Sequence, residues 1–350
     1  MSVAMKPDNN LDIPTIPANR VLRVAIDDGL AQMKLVGEMQ DGSIKTIKIP
    51  TAIRSASSGG VIDLSGDLVG MYETEEGSRF VCSADLPGEE TRHPDFHVSQ
   101  IDRVLTRHTL IEAGYTSGDR LELLTALPVD EYFVSGQVNR SRIEKKMDNL
   151  RRGVSIIGGL ANMPVVSEAR VGCQAIAAFF DYTLTEEGNS RIGVAPDSIA
   201  VVDIGGSTTD IAVVLHGKTI DQGSSGALRR GVLDVHAAFL AGLTKQLGFT
   251  PRLSPAATDR AVRTGKIVLF REEKDVSDIL REAVADVGGQ IMREVERKIG
   301  NAATMDAVIF VGGGAGLFRD VVKNWRGVEI PVDPEFANAR GLLKYARARG

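Results

Sequence analysis

Short apolar stretches broken by glycine and acid turns set the outline of this chain. VLRVAI (21–26), MKLVGEM (33–39) and SIKTIKI (43–49) read as three strands of a meander, with Asp41-Gly42 at the second turn. A loop-rich stretch (51–97) follows. VSQIDRVLTRHTLIEAG (98–114) then places Ile101, Val104, Leu105 and Leu110 at helical spacing and stops on Gly114. LELLTALP (121–128) predicts a strand stopped by Pro128. NRSRIEKKMDNLRRG (139–153) predicts a basic helix with Ile143, Met147 and Leu150 on one stripe, and EARVGCQAIAAFFDY (168–182) another helix.

The opening pattern returns at Ile199. SIAVVDIGG, DIAVVLHG and KTIDQGSS repeat strand, acid, glycine turn and strand, so that Asp27 and Asp203 occupy equivalent points about half the chain apart. Helices are expected over 227–248, 256–270 and 274–300. AVIFVGGGAGLF (307–318) reads as a strand, a glycine turn and a helix start, and ANARGLLKYARARG closes the chain as a basic helix. Two halves on one plan predict a duplicated α/β fold with a cleft between lobes.

Composition narrows the class. The 350 residues suffice for two lobes with their own cores, and 43% apolar with 25% charged residues is ordinary for a globular protein. A net charge of −5 argues against a chain that coats nucleic acid or an anionic membrane by itself. Cys82 and Cys173, far apart and in apolar surroundings, read as buried thiols of a cytoplasmic protein rather than a disulfide. Residues 1–20 carry three prolines and no continuous apolar core; they predict a flexible arm, not a signal peptide, and no run is long enough to span a bilayer.

The chemistry gathers in three loops. In VVDIGGSTTDIAVV (201–214) a buried strand ends on Asp203, costly there unless a cation or donors meet it. Gly205 and Gly206 let the backbone turn and present its N–H groups, and Ser207, Thr208 and Thr209 add hydroxyls. That combination reads either as a polar hairpin loop or as a cradle for phosphate with water-held Mg²⁺ beside it. The second copy, Asp27-Asp28-Gly29, favours the cradle. In VIFVGGGAGLF, Gly312, Gly313 and Gly314 allow a ligand to approach the backbone at a helix start. The dinucleotide fingerprint fails there, because Leu317 stands where its last glycine belongs and too little chain follows. HGKT (216–219) is not a Walker loop either, since Ala212 replaces the required glycine. His93 and His97 flank Pro94 and form no helical metal pair.

These three loops resemble those of the actin, Hsp70 and sugar-kinase superfamily, and most closely the StbA/ParM plasmid-segregation actins. IDDG with Lys34 following, ALPVDEYF (126–133), RIEKKMDNLRR (142–152) and GSSGALRRGV (223–232) carry the narrower likeness over about 21–349. The resemblance implies a duplicated, ribonuclease H-like two-domain fold with an interdomain nucleotide cleft. Its first domain would hold 21–165 plus 335–350, and its second 166–334. Asp27, Asp28 and Gly29 would belong to the first phosphate loop, with Lys34 reaching back to it. Asp203, Gly205, Gly206, Ser207 and Thr208 would form the second, Asp203 and Asp27 holding Mg²⁺ mainly through water. Gly312, Gly313 and Gly314 would pass beside the adenosine of ATP or ADP. The family also places a Glu or Gln near the start of the interdomain helix to orient the attacking water. Glu168, opening EARVGC, is the candidate, the alternative being an acid that only complements the helix dipole. The first loop departs from the pattern. Leu30 and Ala31 stand where relatives often carry hydroxyls, which slows turnover or moves phosphate contacts to the backbone.

The function implied is an ATPase, GTP being an alternative substrate, that forms head-to-tail filaments and segregates plasmid DNA through a DNA-binding adaptor. The chain itself would touch neither nucleic acid nor membrane. The basic helix 140–152 reads as a solvated face or a filament contact, and the end Lys344–Arg349 as another contact, with Glu73, Glu75, Glu76, Glu89 and Glu90 as its charge complement. The rivals are a small-molecule kinase of the same superfamily and a cell-shape or division actin.

Overall fold

In the computed structural model, the described residues are 20–350 without 59, 63, 65–68, 85–87, 159–162, 192–197, 324 and 326. The flexible arm expected over 1–20 lies outside them except for Arg20, which pairs with Glu38 at 2.8 Å.

The first half begins with the expected meander: β1 (Val21–Asp28), β2 (Gln32–Glu38) and β3 (Ile44–Pro50). The stretch read as loops is built instead from β4 (Ile53–Ser55), β5 (Met71–Thr74) and β6 (Arg79–Cys82). Then come α1 (Gln100–Glu112), capped by the Ser99 hydroxyl on the Asp102 N–H, and β7 (Arg120–Leu127). A short α2 (Val129–Tyr132) and the hairpin β8 (Phe133–Val134) and β9 (Gln137–Val138) lead to α3 (Arg140–Arg151), capped by Asn139. Next, β10 (Val154–Ile156) joins β5, β6 and β4 in a small sheet. The half closes with β11 (Val165–Cys173) and α4 (Gln174–Thr183).

The second half opens with β12 (Ser198–Ile204) and β13 (Thr209–Leu215), then the short β14 (Thr219–Ile220) and β15 (Gly226–Leu228). HGKT is the turn from β13 to β14, with His216 and Gly217 at positive φ. Three helices were expected and three form: α5 (Val232–Leu247), α6 (Pro255–Thr264) and α7 (Ser277–Ile299). The middle one ends early, at Gly265, and β16 (Lys266–Leu269) and β17 (Glu272–Asp275) form a hairpin where helix was expected. β18 (Ala307–Val311), a short α8 (Arg319–Val322), β19 (Val328–Glu329) and α9 (Ala337–Arg349) complete the chain.

The two main sheets share one topology. The first runs β11-β7-β1-β2-β3 and the second β19-β18-β12-β13-β14, with β15 also on β13. In each, a meander's first strand pairs antiparallel with its second and parallel with a later strand. Helices α4 and α9 cross between the sheets. α4 follows the first sheet yet buries Ala175, Ala178 and Phe179 among β12, β13 and β18 residues, while α9 follows the second yet buries Leu343 and Ala346 with Ala25, Val36 and Leu124. Each half thereby lends its last helix to the other.

The expected boundary at 165/166 falls just inside β11. That strand pairs with β7 over 165–173, so all of it is part of the first sheet. Cys82 and Cys173 are free and buried, as expected of apolar thiols, and burial pushes both thiols up. Among the described residues no helix is long and apolar enough to cross a membrane.

Candidate functional site

The turns of the two repeated hairpins meet at a cleft of about 900 Å³. Asp27, Gly29 and Lys34 line it from one side, and Asp203, Gly205, Gly206, Ser207 and Thr208 from the other. The turns touch: a Cβ on Gly206 would stand 2.6 Å from the Ala31 Cβ, so only glycine allows this approach.

Register explains the charge pattern at the floor. In the first hairpin Asp27 is opposite Lys34, and their side chains pair at 2.8 Å, both buried. In the second hairpin the equivalent of Lys34 is Asp210, opposite Asp203. Burial opposes the Lys34 charge, but Asp27 beside it more than compensates and raises its pKa. Burial, reinforced by the Asp27 charge, pushes Asp203 up to about 6 against the pull of Asn338 and Lys34. Asp210 goes well above the carboxylate range for the same reasons, burial first and Asp203 second. Asp210 also accepts from the Val129 N–H at 2.7 Å, tying the segment after β7 to the second sheet.

Several sequence expectations need correction. Asp28 follows Asp27 on β1 and therefore points to the opposite face of the sheet. There it meets Lys146 and His97 and accepts from the Thr125 hydroxyl at 2.7 Å; Asp28 itself does not line the cleft, although its partner His97 does. Lys146 is fully buried, so the helix 140–152 is not a wholly solvated face. Of the three glycines only Gly313 lines the cleft. Gly312 donates to the Pro334 carbonyl and Gly314 packs on Ile204, so both brace the turn rather than face a ligand.

Glu168 is the largest miss. It lies on β11, not at a helix start, half exposed and paired with Arg170 at 2.9 Å. The helix begins at Gln174, which does line the cleft, with Nε2 3.5 Å from Asp27 Oδ1. Asn338 on α9 was also missed; its Nδ2 donates to Asp203 Oδ2 at 2.7 Å. The signal for Gln174 was the β-branched run Val165-Val166 ahead of Glu168, which favours strand. For Asn338 it was an amide on the buried stripe of the last helix.

The first loop's missing hydroxyls are supplied from elsewhere, and they serve the loop itself. Thr51 donates to the Gly29 carbonyl at 2.6 Å and Thr91 to the Leu30 carbonyl at 2.9 Å. Both bonds engage carbonyls of the loop and neither uses its N–H groups. Two facing acids, one lysine, two amides and a hydroxyl-rich turn are chemistry for a polyphosphate with a hydrated divalent cation. Among the described residues no cluster of three or more acid, His or Cys ligands exists. Such a cation fits only as one held largely through water, and the raised Asp203 marks charge it would neutralise.

Comparison with known proteins bears on the fold that carries this cleft. Residues 22–185 match the family model for the N-terminal part of the plasmid segregation protein ParM. Residues 201–324 match that for the C-terminal part of an archaeal MreB-like actin homologue. The chain belongs to the actin-like superfamily. A 15-stranded ParM filament from Clostridium botulinum is similar in structure over 94% of this chain and 99% of that one, with TM-score 0.71 and 17% identity. An archaeal actin homologue, Ta0583, in complex with ADP, is similar over 95% of this chain and all of that one, with TM-score 0.73 and 19% identity. The actin-like protein Alp7A is also similar, at TM-score 0.70 and 15% identity over 93% of this chain and 96% of that one. No curated protein matches this actin homologue by sequence.

Proposed function

We propose that this actin homologue binds and hydrolyses ATP in the cleft and assembles head to tail into filaments that move plasmid DNA through a DNA-binding adaptor. The observation that carries the reading is the pair of hairpin turns meeting across one cleft with Asp27, Lys34 and Asp203 at its floor. A ParM filament and an ADP-bound actin homologue among the similar structures support it. The lobes would be 21–173 plus 335–350 and the remainder of 174–334, a boundary moved to the end of β11.

N–H groups of the two turns, with the Ser207 hydroxyl, would receive the phosphates, and Lys34 would meet their charge. The Gly205 N–H donates to the Thr208 carbonyl and the Thr208 hydroxyl to Asp210, holding the second turn in shape. Asp27 and Asp203 would hold Mg²⁺ through water; when bound, that ion offsets charge on the phosphate oxygens. Gln174 takes the place assigned to Glu168. Its Nε2 is turned to Asp27, which leaves Oε1 to accept from an attacking water. Hydrolysis depends on such placement more than on covalent chemistry.

A nucleotide shift in melting temperature tests the cleft. Ligand at a hundred times its Kd adds about 2.7 kcal/mol if it binds only the folded state. No shift at millimolar Mg-ATP and Mg-GTP defeats the proposal. The archaeal MreB-like match favours a second reading, a filament without a plasmid role. Capture of a DNA-binding protein encoded beside this chain separates the two.

A further inference from the structure

The two turns are linked by a pair of neighbouring residues to which the nucleotide reading gives no role. Chain 88–92 lines the cleft and is rooted on β4, where the Glu89 N–H donates to the Ile53 carbonyl at 2.7 Å and the Glu89 carboxylate accepts from the Ser55 N–H. From that root Thr91, buried, donates its hydroxyl to the Leu30 carbonyl in the first turn at 2.9 Å. The next side chain reaches the other lobe. Arg92 Nη1 lies 3.3 Å from Asp234 Oδ1 on α5.

Asp234 in turn stands directly behind the second turn. Its Oδ2 accepts from the Gly231 N–H at 2.9 Å and fixes the first turn of α5. In that first turn the Val232 and Leu233 N–H groups donate to the Gly205 and Gly206 carbonyls, at 3.0 and 2.8 Å. Three groups share the Arg92 neighbourhood: Arg230 Nη1, 4.0 Å from the same Asp234 oxygen; Glu90, whose Oε1 accepts from the Arg92 N–H at 2.8 Å; and the His236 imidazole on α5, near enough to feel the Arg92 charge. Thr91, Arg92 and Asp234, with the first-turn backbone of α5, therefore join Leu30 to Gly205–Gly206 across the cleft.

We propose that Thr91 and Arg92 form a strap that positions both turns and slows nucleotide release. The inference rests on the cleft reading above. A ligand held between the turns leaves when they separate, and separation must first break the Arg92–Asp234 pair or the Thr91–Leu30 bond. Both are positioning residues: neither needs to touch the reacting atoms.

Release of a fluorescent ATP analogue with Mg²⁺ from the full chain, chased by excess ATP, reads the strap. Arg92→Ala and Thr91→Val are each expected to speed release by about threefold to tenfold, the factor one partly exposed ion pair or one neutral hydrogen bond supplies. Arg92→Lys and Thr91→Ser, which keep the charge and the hydroxyl, should stay within about twofold of the parent. Hydrogen exchange without nucleotide supplies an independent readout. In Arg92→Ala, the amide of Thr51, which donates to the Ala31 carbonyl of the first turn, and those of 231–233 should exchange faster while those of the β7 core do not change. Parent-like exchange at both places overturns the strap, whatever the ligand does. Parent-like release in both Arg92→Ala and Thr91→Val overturns it even if nucleotide binds tightly. A parent chain that binds no nucleotide defeats the cleft reading and the gating role with it, while faster exchange in the variant still detects the link between the turns.

Discussion

At Asp203 stability and chemistry pull in opposite directions. Its carboxyl is pushed up to about 6 by burial and by the neighbouring Asp27, so the folded chain holds that proton more tightly than the unfolded one. The stabilisation from the proton is complete below about pH 4 and is lost as pH rises through about 6, leaving a cost at neutral pH of about 1–3 kcal/mol. Asp203→Asn keeps the oxygen that accepts from Asn338 and removes the charge. It is expected to raise nucleotide-free stability at pH 7, to give little gain near pH 4, and to abolish Mg²⁺-dependent turnover; denaturant melts at both pH values check the sign. Gln174→Ala should lower turnover by roughly 10²-fold with binding retained, the scale of one positioned polar group. Glu168→Ala should turn over like the parent, because its carboxylate pairs with Arg170 outside the cleft. Asp27 and Asp203 stood out in the sequence as acids ending apolar runs near glycines, and Lys34 through the family resemblance alone; all three line the cleft. Gln174 and Asn338 were passed over, since an amide carries no charge and their local signals, the β-branched Val165-Val166 run and an amide on a buried helical stripe, are weak.

Elements with clean periodicity were read correctly: the two meanders, α1 and α3 all stand where alternation or a stripe predicted them. The failures have local causes. The register of β11 against β7 shifts between Val166 and Glu168, which breaks the alternation that marks a strand. Glu168 and Arg170 on this edge strand then imitated the polar face of a helix. The exchange of α4 and α9 was invisible locally because it is decided by which sheet each helix meets. Its closest point is Gly341, where a Cβ would stand 1.8 Å from the Ala177 carbonyl oxygen on α4. Gly→Ala inside a helix normally gains up to about 1 kcal/mol. Here the clash is with backbone, which cannot turn aside, so Gly341→Ala is expected to lose about 1–3 kcal/mol net. A denaturant melt showing a gain instead would mean that the helices part freely.

For the whole molecule the question is what contacts a filament would use. Two lobes carrying different surfaces favour a head-to-tail contact, and such a contact extends without closing. If nucleotide sets the angle between lobes, contacts that fit one angle tie assembly to the bound state. The acids that sequence offered as charge complement are largely engaged within the subunit. Glu73 pairs with Arg79, Glu75 and Glu76 with Arg152, Glu76 also with Arg103, and Glu89 and Glu90 cap backbone N–H groups. At the basic end, Lys344 is buried on Asp181 and Arg347 pairs with Glu38. Unpaired charge steering is therefore scarce in both places, and screening has little long-range attraction to remove. Sedimentation with Mg-ATP is expected to show polymer above a critical concentration that changes by less than about threefold between about 50 mM and 300 mM salt. A steep loss of polymer with salt would show that charges outside these pairs drive assembly. A chain that stays monomeric at tens of micromolar with ATP, GTP and a non-hydrolysable analogue would count instead for the small-molecule kinase, whose lobes close on a substrate and not on a neighbour.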